Sequence, residues 1–226
     1  MQGNPLDNIM WHALAGPQAC FASGEGRARR YARGFSPILG FEDPARPDFD
    51  ALLPHCEPGE HFYCADWAGA APPGWHVEVE SKMVQMVWRG ALPDAVDAVG
   101  ITQLQSAHAD AALELATLTR PGPFGPRTPE LGEYFGVFED GRLVAMAGER
   151  MQATGLREIS GVCTHPQFQG RGLARRLMLH LMRRQMQRGE TPFLHVMSDN
   201  ATARTLYTRM GFDTYRECVV RVVART

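Results

Sequence analysis

The sequence predicts an α/β (α+β) protein, with a mixed central sheet flanked by helices and an N-terminal α/β half beside it. Residues 98–226 alternate short strand-like runs with helix-periodic runs. Asp140-Gly141 lies between two apolar runs, where it supplies the positive φ angles of a tight hairpin turn. A hydrophobic content of 44% over 226 residues is enough for a globular core.

Taken in order, GITQLQ (100–105) reads as a strand. HADAALELATLTR (108–120) reads as a helix, with Ala112, Leu115 and Leu118 near helical spacing. PGPFGPR (121–127) is a loop, and TPELG a short helix with Thr128 as N-cap, Pro129 at N1 and Gly132 as the stop. YFGVFEDGRLVAMAGE (134–149) is the hairpin, and REISGVCTH (157–165) the strand after it. In the next helix Leu173, Leu177 and Leu181 form one ridge and Met178, Met182 and Met186 another, with Gly189 at C′. PFLHVMS (192–198) is a strand, and NATARTLYTRM (200–210) a helix stopped by Gly211. FDTYRECVVRVVA (212–224) supplies one or two final strands. The predicted order is β-α-α-β-β-β-α-β-α-β-β.

The N-terminal half is plainer in texture. DFDALLPHC reads as a helix, HFYCADW and WHVEVESKMVQMVWRG as strands, and EDPARPD and AGAAPPG as loops. The change near GALPDAVDAVG (90–100) divides the chain into residues 1–97 and 98–226. No sequence repeat links the halves.

Composition excludes several classes. A net charge of −2 gives no global field for nucleic acid or an acidic membrane. No run reaches the ~20 apolar residues of a membrane span. MQGNPLDNIM lacks the basic and apolar regions of a secretory signal. Five cysteines, an odd count, argue against a disulfide framework. The expected compartment is therefore reducing and cytoplasmic. His55, Cys56, His61 and Cys64 fall close together, but without the paired spacing of common zinc sites; no metal is expected.

The chemistry concentrates in HPQFQGRGLARRL (165–177). A strand, a glycine turn and a helix start point backbone N–H groups at one spot, beside a positive helix end; such a site suits phosphate. Gly170 and Gly172 remove the Cβ atoms that would hold a phosphate away. A P-loop requires Lys-Ser/Thr after its last glycine, where Leu173-Ala174 stand. A Rossmann fingerprint requires a third glycine, where Arg175 stands.

The spelling Gln167-Phe168-Gln169-Gly170-Arg171-Gly172 resembles the acetyl-CoA pyrophosphate loop of the GNAT superfamily of N-acetyltransferases. Asn200-x-x-Ala203-x-x-x-Tyr207-x-x-x-Gly211-Phe212 resembles that family's second hallmark, one helix and one strand downstream. The wording TRPGPF, GRLVAMAGER and THPQFQGRGLARRL is similar to a bacterial branch grouped with glycine-N-acyltransferase-like proteins. In that branch an N-terminal half packs beside a GNAT half, so residues 1–97 would be a degenerate, GNAT-like or substrate-shaping companion.

The resemblance implies acetyl-CoA as co-substrate and an amine as acceptor. Val162, Cys163 and Thr164 would line the pantetheine arm, with Val162 and Thr164 using backbone groups. Gln169, Gly170, Arg171, Gly172, Leu173, Ala174 and Arg175 would hold the pyrophosphate; the two arginines read equally as surface residues. Asn200 caps its helix, bonds the cofactor, or does both. Tyr207 is the implied general acid for departing CoA, beside a plain reading as a packing aromatic. Glu158 is the candidate base, with Glu149 as runner-up. Transfer would be direct, without an acyl-cysteine. The rival reading is a catalytically silent acyl-CoA-binding or sensor module, and a third use of the N-terminal half is a homodimer interface. Neither the acceptor nor the acyl chain is spelled in the sequence.

Overall fold

The computed structural model describes residues 3–95 and 97–226. The N-terminal part opens with a 3-10 turn, Pro5–Asn8, capped by the Asn4 side chain, and runs into helix α1 (Ile9–Leu14). Strands β1 (Ala22–Ser23), β2 (Ala28–Tyr31) and β3 (Leu39–Phe41) form a small antiparallel sheet. The expected helix at DFDALLPHC is a 3-10 helix, Asp50–His55, with Pro54 inside it. A proline there withholds an N–H and crowds the turn before it.

The next two strands cross the expected division at 97/98. β4 (His61–Ala65) and β5 (Trp75–Trp88) belong to the first half in sequence but to the main sheet in space. The remaining elements are β6 (Ile101–Gln103), α2 (Ala109–Thr119), β7 (Tyr134–Glu139), β8 (Arg142–Ala153), β9 (Leu156–Thr164), α3 (Leu173–Gln187), β10 (Thr191–Met197), α4 (Ala201–Met210) and β11 (Phe212–Arg225). The eight-stranded sheet runs β4-β11-β5-β10-β9-β8-β7-β6. β5 thus fills the slot between β10 and β11, antiparallel to both. Its buried stretch Met83, Val84, Gln85, Met86, Val87 reads as a central strand covered on both faces. The two stretches of sequence therefore share one sheet.

The sheet divides two apolar layers. On one face, Leu177, Met178, Leu181 and Met182 of α3 pack on Ala145, Ala147, Ile159, Leu194 and Val196, with Tyr207 of α4. On the other, α2 covers Met146 and Cys163, and α1 with Tyr31 and Phe35 covers Met151, Phe193 and Met83. The Asp140-Gly141 turn has φ of 50° and 78°, as a tight hairpin requires. The loop at 121–127 docks on the N-terminal half: Arg127 N–H donates to Gly34 C=O at 2.7 Å, and Ser36 Oγ donates to Pro123 C=O at 3.0 Å. Among the described residues no helix is long and apolar enough to cross a membrane, and no three metal-type ligands converge. Cys56 and Cys64 instead lie in an apolar cluster with Phe62 and Trp75.

Candidate active site

The site begins where two parallel strands separate. β9 and β10 pair at Leu156/Thr191, Arg157/Pro192 and Glu158/Phe193, and no further. Beyond that point β9 continues to Thr164 and β10 to Met197, leaving a fork in the sheet. On its other side β9 stays paired with β8, with a register shift between Met146/Cys163 and Gly148/Ser160. Gly161 lies at this bulge with φ of 63°. His165 N–H donates to Val144 C=O on β8. Because backbone groups alternate along a strand, Thr164 and Val162 direct theirs to the opposite edge, into the fork. Cys163 lies between them with its thiol buried, and burial pushes that thiol up to about 11.

The glycine turn follows directly. Gly170 and Gly172 have φ of 78° and 75°, and a Cβ on either would meet only open space. Close packing therefore does not explain these glycines; their backbone shape and their accessible N–H groups do. α3 starts at Leu173 with no side chain capping its first turn, so those N–H groups remain available to an anion. Gln169, Arg171 and Arg175 are exposed around the turn, and Arg171 lies over the Phe168 ring at 4.7 Å. Leu173 and Ala174 begin the helix, half-buried.

Tyr207 lies on α4, 8% exposed, edge-on to Phe212. Its hydroxyl has no hydrogen-bond partner among the described residues. Burial, aided by nearby Cys163, pushes the phenol up to about 12. Asn200 Oδ1 accepts from Ala203 N–H at 3.1 Å, so it caps α4.

The two carboxylates expected as bases are both committed. Glu158 is fully buried. Its Oε1 takes Arg150 Nη2 at 2.7 Å and His195 Nδ1 at 2.8 Å; its Oε2 takes Arg150 Nε at 2.9 Å and Met151 N–H at 3.1 Å. Burial opposes its charge, but Arg150 and His195 outweigh burial and hold the carboxyl down to about 2. A carboxylate held this way is placed to anchor Arg150 and His195. Glu149 is 1% exposed and receives Gln185 Nε2, Glu133 N–H and Arg188 Nη2. It belongs to an ionic cluster with Arg157 at the far end of α3.

Three site residues escaped the sequence reading. Tyr134 is 1% exposed; its ring covers Gly148, where any Cβ would collide with it, and reaches Gly161. Its hydroxyl is buried without a partner and so keeps an unused hydrogen-bond donor. Arg150 and His195 join Glu158 only through tertiary structure. Gln18 locks the N-terminal half over them: its Nε2 donates to Arg150 C=O at 2.6 Å, and its Oε1 accepts from Tyr31 Oη at 2.7 Å. Nothing local in the sequence marks these residues.

Comparison with known proteins agrees with this geometry. Residues 134–221 match the family described as FR47-like protein. A crystal structure from Novosphingobium aromaticivorans DSM 12444, assigned to the GNAT acetyltransferase family, is 34% identical, covers 99% of this chain and 100% of its own, and superposes with a TM-score of 0.91. A GCN5-related N-acetyltransferase-like protein from Streptococcus suis 89/1591 shares the fold at 16% identity and a TM-score of 0.61, over 96% of this chain and 92% of its own. A GCN5-related N-acetyltransferase from Kribbella flavida does so at 15% and 0.58, over 92% and 90%. No curated protein matches the chain. The chain belongs to the GNAT family of acetyltransferases.

Proposed function

We propose that the chain is an acetyl-CoA-dependent N-acyltransferase, passing the acyl group directly from the thioester to an amine. The observation that carries this is the β9–β10 fork, whose edge at Val162 and Thr164, unpaired with β10, leads to the uncapped glycine turn. Val162 and Thr164 would pair with the pantetheine amides like an added strand, with Cys163 as their buried spacer. Gln169 through Arg175 would surround the pyrophosphate, and Asn200 would offer its free amide N–H₂ from the start of α4. The wording shared with the glycine-N-acyltransferase-like branch fits the same reading.

Tyr207 would donate to the departing sulfur. A phenol near 12 is a weak acid against a free thiol at ~8.5. Yet Cys163 gauges what burial does to a thiol in this neighbourhood, raising it to about 11. A CoA sulfur desolvated in the fork would shift in the same direction, which narrows that gap. Tyr134, a sealed donor at the Gly161 bulge, would face the oxygen on which charge develops. Both tyrosines offer bonds that strengthen only as the reaction proceeds.

The test is release of free thiol from acetyl-CoA across amino acids, polyamines, aminoglycosides and peptides. Release that requires one class of amine supports the reading. Tight acetyl-CoA binding with no release for any class would establish the silent binding module instead.

A further inference from the structure

We propose that His195 accepts the proton that the amine must lose, and that Glu158 and Arg150 are its positioning residues. This rests on the acyl-transfer reading above.

His195 is placed for the task. It stands on β10 two residues beyond Phe193, the last residue paired with β9, and so at the base of the fork. Its neighbours Leu194 and Val196 point into the α3–α4 layer with Tyr207. Side chains alternate along a strand, so His195 points the other way, like Phe193, toward the N-terminal half. The imidazole and the Tyr207 phenol therefore approach the fork from opposite faces. In this proposal the amine would approach on the His195 face, and the sulfur would leave on the side of Tyr207.

The hydrogen bonding leaves one acceptor. A polar row crosses the sheet, buried at Arg150 on β8, Glu158 on β9 and Gln85 on β5, and half-buried at His195 on β10, Arg216 on β11 and Asp66 after β4. Glu158 already receives four donors. Asp66 is held at both oxygens by Arg216, at 2.8 and 2.6 Å, and Gln85 Oε1 takes Arg216 Nε at 3.2 Å. His195 Nδ1–H donates to Glu158, which fixes the tautomer and leaves the Nε2 lone pair uncommitted. Its side chain keeps 8% exposure where that of Glu158 keeps 1%. The charges of Arg150, Glu158, Arg216 and Asp66 cancel, so a proton on His195 adds one positive charge directly against an ionised carboxylate. That is the arrangement in which a carboxylate orients and stabilises an imidazolium.

The step balances. The ammonium gives one proton to Nε2, and the freed nitrogen lone pair forms the C–N bond at the thioester carbonyl. The C–S bond breaks, and sulfur takes the Tyr207 proton. The nitrogen's second surplus proton restores Tyr207, and His195 releases its own to solvent.

The test compares wild type with His195→Gln and Glu158→Gln on an amine found by the thiol-release screen. Glutamine at 195 keeps a donor for Glu158 but has no titratable lone pair. At neutral pH His195→Gln should lower kcat/KM by about 10²- to 10⁴-fold. Its rate should climb with pH toward the amine's own pKa, and imidazole should restore part of the rate to His195→Gly. Acetyl-CoA affinity, by calorimetry, should be unchanged. Groups facing His195 that share the profile are Glu158, Arg150, Asp66 and Arg216, with Tyr31 near Glu158; α1 and β3 add only apolar side chains there, such as Ile9, Met10 and Leu39. Glu158→Gln should retain more activity than His195→Gln, because it disturbs the base without removing it. A folded His195→Gln with wild-type rate and pH profile would overturn the assignment while leaving the acyltransferase reading intact. So would a rate loss that imidazole does not rescue and that tracks lost acetyl-CoA affinity. A wild type that binds acetyl-CoA but acylates no amine would overturn both. Histidine ¹⁵N spectra, assigned with the same variant, give a reading free of turnover: in the neutral ring, the tautomer protonated on Nδ1 and bare on Nε2 is expected, and the reverse tautomer would refute the proposal.

Discussion

On one face of the central sheet, α3 and α4 lay Leu177, Met178, Leu181 and Met182 on Ala145, Ala147 and Val196. On the other, the N-terminal half lays Gln18 and Tyr31 on Arg150 and Glu158. The first layer is apolar and tolerant: any well-filled packing would hold it. The second has hydrogen bonds as its currency, and each buried group there has few permissible partners. One layer would give the cofactor a rigid platform. The other fixes the orientation of an imidazole, an arginine and a carboxylate where the acceptor would enter.

The largest effect should follow from breaking the polar layer. Arg150→Met leaves the Glu158 charge buried without its bidentate partner, and should destabilise the fold by about 3–5 kcal/mol in denaturant titration. A loss below about 1 kcal/mol would mean that the carboxylate is not held as an ion.

On the apolar face, Tyr207→Phe keeps the ring and its contact with Phe212. Stability and acetyl-CoA affinity should therefore hold, while kcat falls by about 10²- to 10⁴-fold. Full activity where chemistry limits the rate would assign the proton to water. Lost cofactor affinity instead would make Tyr207 a binding residue.

Acid should separate the faces. Glu158 sits near 2 when folded, against an ordinary value of 4.5. Its folded pKa is depressed, so its contribution is complete above about 4.5 and is lost as pH falls toward 2. The loss should be on the order of 3 kcal/mol. Glu158→Gln should flatten that part of the stability profile; an unchanged acid limb would show that other carboxylates carry it.

How much of this is legible in the sequence depends on distance along the chain. The glycine turn and the α4 signature are local, so Gly170, Gly172 and Tyr207 can be singled out from spelling alone. Glu158 is visible as a residue near the site, but not its role: Arg150 is eight positions away across a hairpin, and His195 is 37 away on a parallel strand. The sheet that crosses the division at 97/98 is hidden for the same reason. Whether Trp75–Trp88 extends its own half or enters a distant sheet is decided by the slot between β10 and β11, which no local pattern encodes. α1, at six residues, is too short to announce itself by periodicity.

The smallest effect is expected at the boundary of the layers. Cys163→Ala removes a thiol held near 11, which is not ionised at neutral pH. Turnover should persist and stability fall by only about 1 kcal/mol. An acetyl adduct on Cys163, with activity abolished in the alanine variant, would replace direct transfer by a covalent route.

The central claim is that the β9–β10 fork receives acetyl-CoA along the free edge of β9. Amide hydrogen exchange measured with and without acetyl-CoA tests it most directly. Val162 and Thr164 should exchange at least about tenfold more slowly in the complex, together with the first turn of α3. His165, which already donates to Val144, should change little. Unchanged exchange at Val162 and Thr164 under saturating acetyl-CoA would contradict the account.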